Sequence, residues 1–166
     1  MFEQFTIRPQ VTIRSCQRED LQDLEWFGLF TPHRELILRA FERQENGDNV
    51  MLVAVVNSFP VGQVWIDLVR KVQASIGILW ALRVMPPFQT LGIGTRLITM
   101  AEGVLKDEGF AVAEIGVEKD NLNAKRLYEK LGYQIVADNI EEWNYITPEG
   151  STIHEVDDEW IMHKSI

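Results

Sequence analysis

The stretch with the clearest chemical meaning is Gln89-Thr90-Leu91-Gly92-Ile93-Gly94-Thr95, which follows Pro86-Pro87 and an apolar run ending at Val84. A helix opens here, its buried face marked by Ile93, Leu97, Met100/Ala101 and Val104/Leu105 at the i, i+4, i+7/8 spacing. The first N–H groups of a helix lack intrahelical partners, and Gly92 and Gly94 have no side chain to hold a ligand away from them. Free N–H groups at the positive end of a helix dipole suit an anion, and phosphate best. Other chemistries find less support. His33, His154 and His163 have no metal-ligand spacing, and no Ser-His-Asp or Cys-His arrangement can be argued, so no metal is expected.

The chain that positions this turn has 166 residues, enough for one domain with a proper core, and its 46% hydrophobic content excludes disorder. No apolar run reaches the roughly 18 residues of a membrane span. Met1 to Gln10 lacks the charged start and apolar centre of a secretory signal and reads as a lead-in, with the domain over residues 11–166. The single Cys16 suits a reducing cytoplasm, which is the expected location. A net charge of −9 argues against a nucleic-acid partner, and no membrane partner is expected. Asp138 to Trp160 holds eight carboxylates and no Lys or Arg, which makes it either a solvated loop or an attractor of a cationic substrate.

Val11 to Ser15 alternates on period two and predicts a first strand. Arg18 to Phe27 reads as a helix around Leu21, Leu24 and Phe27, broken by Gly28 to Pro32. A second helix carries Leu36/Ile37, Ala40/Phe41 and Gln44 and ends at Asn46-Gly47. Val50–Val56 and Val61–Val69, joined by a short turn, predict an antiparallel hairpin. Gln73 to Val84 is a fourth strand that delivers the chain to the glycine turn. The helix to about Glu108 crosses over to a fifth strand, Ala111–Glu118, so these two strands should be parallel. A last helix, Leu122–Leu131, has Asn121 as cap and Gly132 as stop. Tyr133–Ala137 and Glu159–Lys164 are closing strands, and the long connection Asp138 to Asp158 should cover something. The class is α/β with a mixed sheet.

The glycine turn is not a dinucleotide fingerprint, since Leu97 stands where its third Gly or Ala would be, and without Gly-Lys-Ser/Thr it is not a P-loop. The chain resembles the GNAT superfamily of N-acetyltransferases. The family's acetyl-CoA motif, Gln/Arg-x-x-Gly-x-Gly/Ala, is present as Gln89-Thr-Leu-Gly92-Ile-Gly94, between an apolar strand and a long helix. A second family pattern follows as Asn121-Leu-Asn-Ala124-Lys-Arg-Leu127-Tyr128-Glu-Lys-Leu-Gly132-Tyr133. The resemblance spans roughly Val11 to Lys164. It implies one domain with a mixed sheet of about seven strands, an antiparallel N-terminal part, strands four and five splayed around the cofactor, and about four flanking helices.

It also implies acetyl-CoA as co-substrate and an N-acetyl transfer to a primary amine, on a small molecule or on a protein. The N–H groups of Gln89, Thr90, Leu91, Gly92, Ile93, Gly94 and Thr95 would hold the pyrophosphate. The backbone of Leu82 and Val84 would bond the pantetheine amides, with Asn121 and Asn123 near the same arm. Tyr128 matches the family's tyrosine that protonates the departing sulfur; its other reading is an aromatic packed on the core. No general base is assigned. The fourth strand has no acid, Gly116 stands where one subgroup has a glutamate, and Asp67, Glu114 and Glu118 are substitutes without a claim over one another. The family's acceptor elements fall on Trp26 to Arg34 and Asp138 to Asp158. Trp143 and Tyr145 beside Glu141 and Glu142 suit an amine with an apolar body, while Trp26 and Phe27 read first as core. A homodimer is compatible with this reading. An acyl-CoA-binding sensor or scaffold without turnover is the alternative, and a nucleotide-binding module is a third.

Overall fold

The computed structural model describes residues 1–6 and 8–166. The strands are β1 (Thr12–Ser15), β2 (Asn49–Val56), β3 (Phe59–Asp67), β4 (Ile76–Val84), β5 (Val112–Glu118), β6 (Gln134–Ile146) and β7 (Thr152–Ser165). The α-helices are α1 (Arg34–Glu45), α2 (Ile93–Asp107) and α3 (Leu122–Lys130). The seven strands form one sheet in the order β1-β2-β3-β4-β5-β7-β6. Only β4 and β5 pair in parallel, as the intervening helix requires; the neighbouring pairs are antiparallel. Among the described residues no helix is long and apolar enough to cross a membrane.

Both faces of the central strands are covered, which is why Val50 to Val56 and Phe59 to Asp67 run almost wholly buried. On one face, Leu97, Ile98, Ala101 and Leu105 of α2 pack with Val64, Ile66, Leu79 and Ile115. On the other, Ile37, Ala40 and Phe41 of α1 pack with Met51, Val53 and Trp65.

Two expectations change. Arg18 to Phe27 is not a continuous helix but two single 3₁₀ turns, Arg18–Asp20 and Asp23–Glu25. Tertiary ties override the helical spacing there. Arg14 grips Asp20 at 2.6 and 2.8 Å, Asp20 accepts the Gln17 N–H at 2.7 Å, and Trp26 and Phe27 both turn left-handed at φ 44° and 57°. Trp26 is then core, 6% exposed and donating to the Pro60 carbonyl, whereas Phe27 is exposed and stacked on Phe59.

The connection Asp138 to Asp158 is not a loop either. It is the body of a long β6/β7 ribbon that turns only between Ile146 and Thr152. Asn139, Glu141, Trp143 and Tyr145 share the inner face of β6, and Ile140, Glu142, Asn144 and Ile146 the outer. Neither face is apolar, so the period-two hydrophobic signal that marks a strand is absent from this stretch.

Candidate active site

Gly92 caps α2 at φ 81°, its carbonyl accepting the first helical bond from Arg96 N–H at 3.1 Å. Among the described residues no side chain caps this end, and the N–H groups of Ile93, Gly94 and Thr95 point out of the helix unpaired. Thr90 is left-handed too, at φ 63°, and Gln89 Nε2 closes the turn by donating to the Val84 carbonyl at 2.8 Å. Leu91 is exposed and Ile93 is buried in the core, so Ile93 can offer a ligand only its backbone. A Cβ at Gly94 would stand 3.7 Å from Leu127 of α3 and 3.8 Å from Val84, so the backbone there lies open between α2 and α3.

The β4/β5 ladder stops at Leu79 opposite Ile115. A bulge in the β3/β4 pairing lies just beyond, with Ala81 at φ 50°. The bulge keeps Trp80 and Ala81 on the α1 side, while Leu82 and Val84 pack on the α2 side. The strands separate here and a cavity of about 180 Å³ opens, lined by Leu82, Gly116, Asn121, Ala124 and Tyr128 among others.

Asn121 caps α3 by accepting the Ala124 N–H at 3.1 Å, which leaves its amide nitrogen free; Asn123 is exposed and outside this cavity. Tyr128 is 5% exposed, and burial pushes its phenol up to about 12. Beneath it Tyr133 donates to Glu102 at 3.0 Å, and Lys164 reaches the same carboxylate at 2.7 Å, bracing the end of α3.

A second, larger cavity of about 1080 Å³ lies between the inner face of the ribbon and the α1 side of the sheet. The two cavities meet at Leu79, Trp80, Ala81 and Gly116, where Glu118, Asp157 and Glu159 line both. Of the carboxylates read from the sequence, Asp67 is held by Arg43 at 2.9 Å and by the Val69 and Arg70 N–H groups. Glu114 is held by Lys71 at 2.6 and 2.8 Å and by His163 at 2.7 Å. Both are structural anchors, and only Glu118 remains.

The carboxylate that sequence reasoning missed is Glu159. It sits over Gly116, where a Cβ would overlap its Oε2. Its one side-chain partner among the described residues is Asn139, whose Nδ2 donates at 3.1 Å. Burial raises its affinity for a proton; the Asn139 bond opposes this, and the charges of Glu141, Asp157 and Glu114 reinforce it. The one signal for it was the run of acids at 155, 157 and 159, which only a strand brings onto one face.

A profile described as the acetyltransferase (GNAT) family matches residues 17–133. The chain belongs to the GNAT acetyltransferases. Two relatives carry the description uncharacterized N-acetyltransferase. That of Methanocaldococcus jannaschii is 27% identical over 150 residues, covering 80% of this chain and 64% of that protein. That of Bacillus subtilis, YhfO, is 30% identical over 118 residues, 64% of this chain and 79% of that protein. The chain thus spans just under two thirds of the length of the archaeal relative. The PaiA N-acetyltransferase of Thermoplasma acidophilum, solved with coenzyme A, aligns at TM-score 0.74 and 19% identity over 95% of this chain and 99% of that one. YncA of Salmonella typhimurium, solved with acetyl-CoA, aligns at TM-score 0.72 and 19% identity over 94% of each chain. At these identities the structural likeness shows the GNAT fold.

In this GNAT chain the ribbon brings Trp143 to the wall of the larger cavity, with Tyr145 and His33 packed beside it. Tyr145 and Trp143 pack on His33 at centroid distances of 4.4 and 6.2 Å, and Trp143 Nε1 donates to Asp157 at 2.7 Å. Glu141 and Glu142, paired in the sequence reading, lie on opposite faces. Glu141 turns inward, 3.6 Å from Arg70; Glu142 turns outward, 3.7 Å from His154.

Proposed function

We propose that residues 11–166 form a catalytic domain that moves an acetyl group from acetyl-CoA to a primary amine, with Glu159 as general base and Tyr128 as donor to the departing sulfur. The observation that carries this is the meeting of two cavities at the open end of β4 and β5, with Tyr128 in one and the Glu159 carboxylate lining both. The uncapped end of α2 and the β4 edge facing β5, left unpaired beyond Leu79, fit the pyrophosphate and the pantetheine arm of a CoA molecule. The N–H groups from Thr90 to Thr95 hold the pyrophosphate; that of Gln89, expected to join them, is instead bonded to the Pro86 carbonyl at 3.2 Å. The backbone of Leu82 and Val84 takes the pantetheine amides as an added strand would, with Asn121 and, further out, Asn123 beside it.

The neutral amine enters from the larger cavity and its nitrogen bonds to the thioester carbon. Glu159 takes the nitrogen's surplus proton, for which its raised proton affinity suits it. The C–S bond then breaks and the sulfur leaves with the electron pair. Burial holds the Tyr128 proton tightly, its phenol pushed up to about 12. Tyr128 therefore steadies the sulfur with a hydrogen bond, and solvent completes the thiol.

Calorimetric titration with CoA, ATP and NAD, paired with an assay of thiol release from acetyl-CoA over a panel of amines, tests the reading. Tightest binding of CoA and amine-dependent release are expected. Tighter binding of ATP or NAD would return the chain to a nucleotide-binding module.

A further inference from the structure

The larger cavity is lined by more carboxylates than cations, with Glu118, Asp157 and Glu159 at its gap end, and by four Lys or Arg side chains: Arg43 of α1, Arg70, Lys71 and Arg83. Three have acid partners. Arg43 and Arg70 lie 2.9 and 3.9 Å from Asp67, and Lys71 lies 2.6 Å from Glu114. Arg83 has none within 4 Å among the described residues, and no side-chain hydrogen bond or neighbouring charge there acts on it.

Its surroundings hold it in place without neutralising it. The guanidinium lies 4.2 Å from the centre of the Phe30 ring, a stacking contact that leaves its donor edges free. Next to it is His33, whose proton affinity falls through burial and through the charge of Arg83 itself. Burial also works against the Arg83 charge. A half-buried guanidinium with no ion-pair partner keeps its donor edges toward the cavity, where a ligand can supply the counter-charge.

The placement along β4 gives the rest. Arg83 stands two residues beyond the Ala81 bulge, on the cavity side of the sheet opposite the Leu82 and Val84 side. Two residues of strand span about 7 Å. An acceptor with its nitrogen at the mouth of the gap, beside Glu159, would therefore lay a group a few bonds away against Arg83. Trp80, Leu36 and Trp143 line the remaining space.

We infer that the acceptor of this site is an amino carboxylic acid whose carboxylate is held by Arg83 while its amine faces Glu159. The inference rests on the proposed acetyl transfer for the amine's position, and Arg83 is a specificity residue rather than a catalytic one. It also revises the expectation of a plain cationic amine. The acids at the gap receive the nitrogen, and Arg83 selects the opposite charge at the far end. A bidentate bond between guanidinium and carboxylate supplies both affinity and orientation.

The test compares acids with their uncharged amides: L-methionine, L-phenylalanine and 4-aminobutyrate against methioninamide, phenylalaninamide and 4-aminobutanamide. For at least one pair the acid should be favoured about ten- to hundredfold in kcat/KM, the range of a charged hydrogen-bonded contact. Arg83→Met should bring that ratio near one by raising the acceptor KM, with KM for acetyl-CoA unchanged. Arg83→Lys should restore part of it. A second arm does not need turnover: calorimetry of N-acetyl-L-methionine, N-acetyl-L-phenylalanine and 4-acetamidobutyrate against their amides on the CoA-bound protein. Selective binding of an acid, lost in Arg83→Met, supports the anchor even where no transfer is seen, so a failed transferase reading stays distinguishable. Equal handling of acids and amides by the wild type in both arms overturns the inference, as does a preference that survives Arg83→Met.

Discussion

Glu159 on β7 covers Gly116 on β5, so closely that a Cβ at residue 116 would stand 2.9 Å from the carboxylate carbon. The strand that lacks an acid at this point is thus served by an acid from its neighbour, delivered through the antiparallel β5/β7 pairing. Glu159→Gln keeps the size of the side chain and removes the base. A loss in kcat of about 10²–10⁴-fold is expected, with KM for acetyl-CoA nearly unchanged.

The same residue gives a pH signature. A raised proton affinity means that the active, ionised form is lost at higher pH than an ordinary glutamate near 4.5 would show. The acidic limb of the kcat profile, read at saturating acceptor so that the amine's own ionisation does not enter, should lie above that value and vanish in Glu159→Gln. The stability effect has the opposite sense. A carboxylate whose folded value is raised stabilises the fold below its unfolded value, and that contribution is lost as pH rises through the folded one. Glu159→Gln should accordingly melt no lower than wild type at pH 7. A large drop in melting temperature would mark Glu159 as structural.

Tyr128→Phe removes the hydroxyl and keeps the packed ring. Since the phenol serves by hydrogen bond, the kcat loss should sit near or below the ~10²-fold end of the general-acid range. The phenol near 12 should also contribute no basic limb below pH 10. A wild-type kcat in the folded variant would leave Tyr128 as a packing residue.

How much of this was legible can be said residue by residue. The central hairpin, the β4-α2-β5 crossover and the cap at Asn121 were readable because each rests on local chemistry: apolar runs, a glycine turn, an Asx cap. Arg18 to Phe27 misled because its Leu21, Leu24 and Phe27 spacing is helical, while Arg14 on β1 sets the turn through Asp20. The ribbon was hidden because its inner face is built from Asn139, Glu141 and Trp143 rather than from aliphatics. Glu159 and Arg83 were hidden for a deeper reason. Their meaning lies in what they face, a side-chain-free Gly116 and, among the described residues, a cavity wall with no carboxylate within ion-pair reach of Arg83, and sequence spacing carries neither.

The phosphate end of the site is tested at the turn. Gly92→Glu and Gly94→Glu put a carboxylate where backbone N–H groups are to meet phosphate, and position 92 adds the strain of φ 81° for a side chain. Loss of CoA binding by calorimetry is expected with a retained circular dichroism spectrum. Unchanged binding in either variant would move the phosphate site elsewhere.

Packing is tested at Gly77, where α2 crosses β4 most closely. A Cβ there would overlap Leu105 Cδ2 outright and come within 2.9 Å of its Cδ1, and Leu105 is fully buried. Gly77→Ala should cost about 1–3 kcal/mol from overpacking, offset in part by about 0.4–1 kcal/mol of reduced chain entropy. The urea midpoint should fall with an unchanged slope.

The most direct test of the central claim is thiol release from acetyl-CoA, followed with and without amine in wild type, Tyr128→Phe and Glu159→Gln. Amine-dependent release in the wild type is expected, slowed modestly by Tyr128→Phe and severely by Glu159→Gln, with all three proteins binding CoA alike. Tight CoA binding without any amine-dependent release would contradict the account and leave the chain as an acyl-CoA-binding domain that does not turn over.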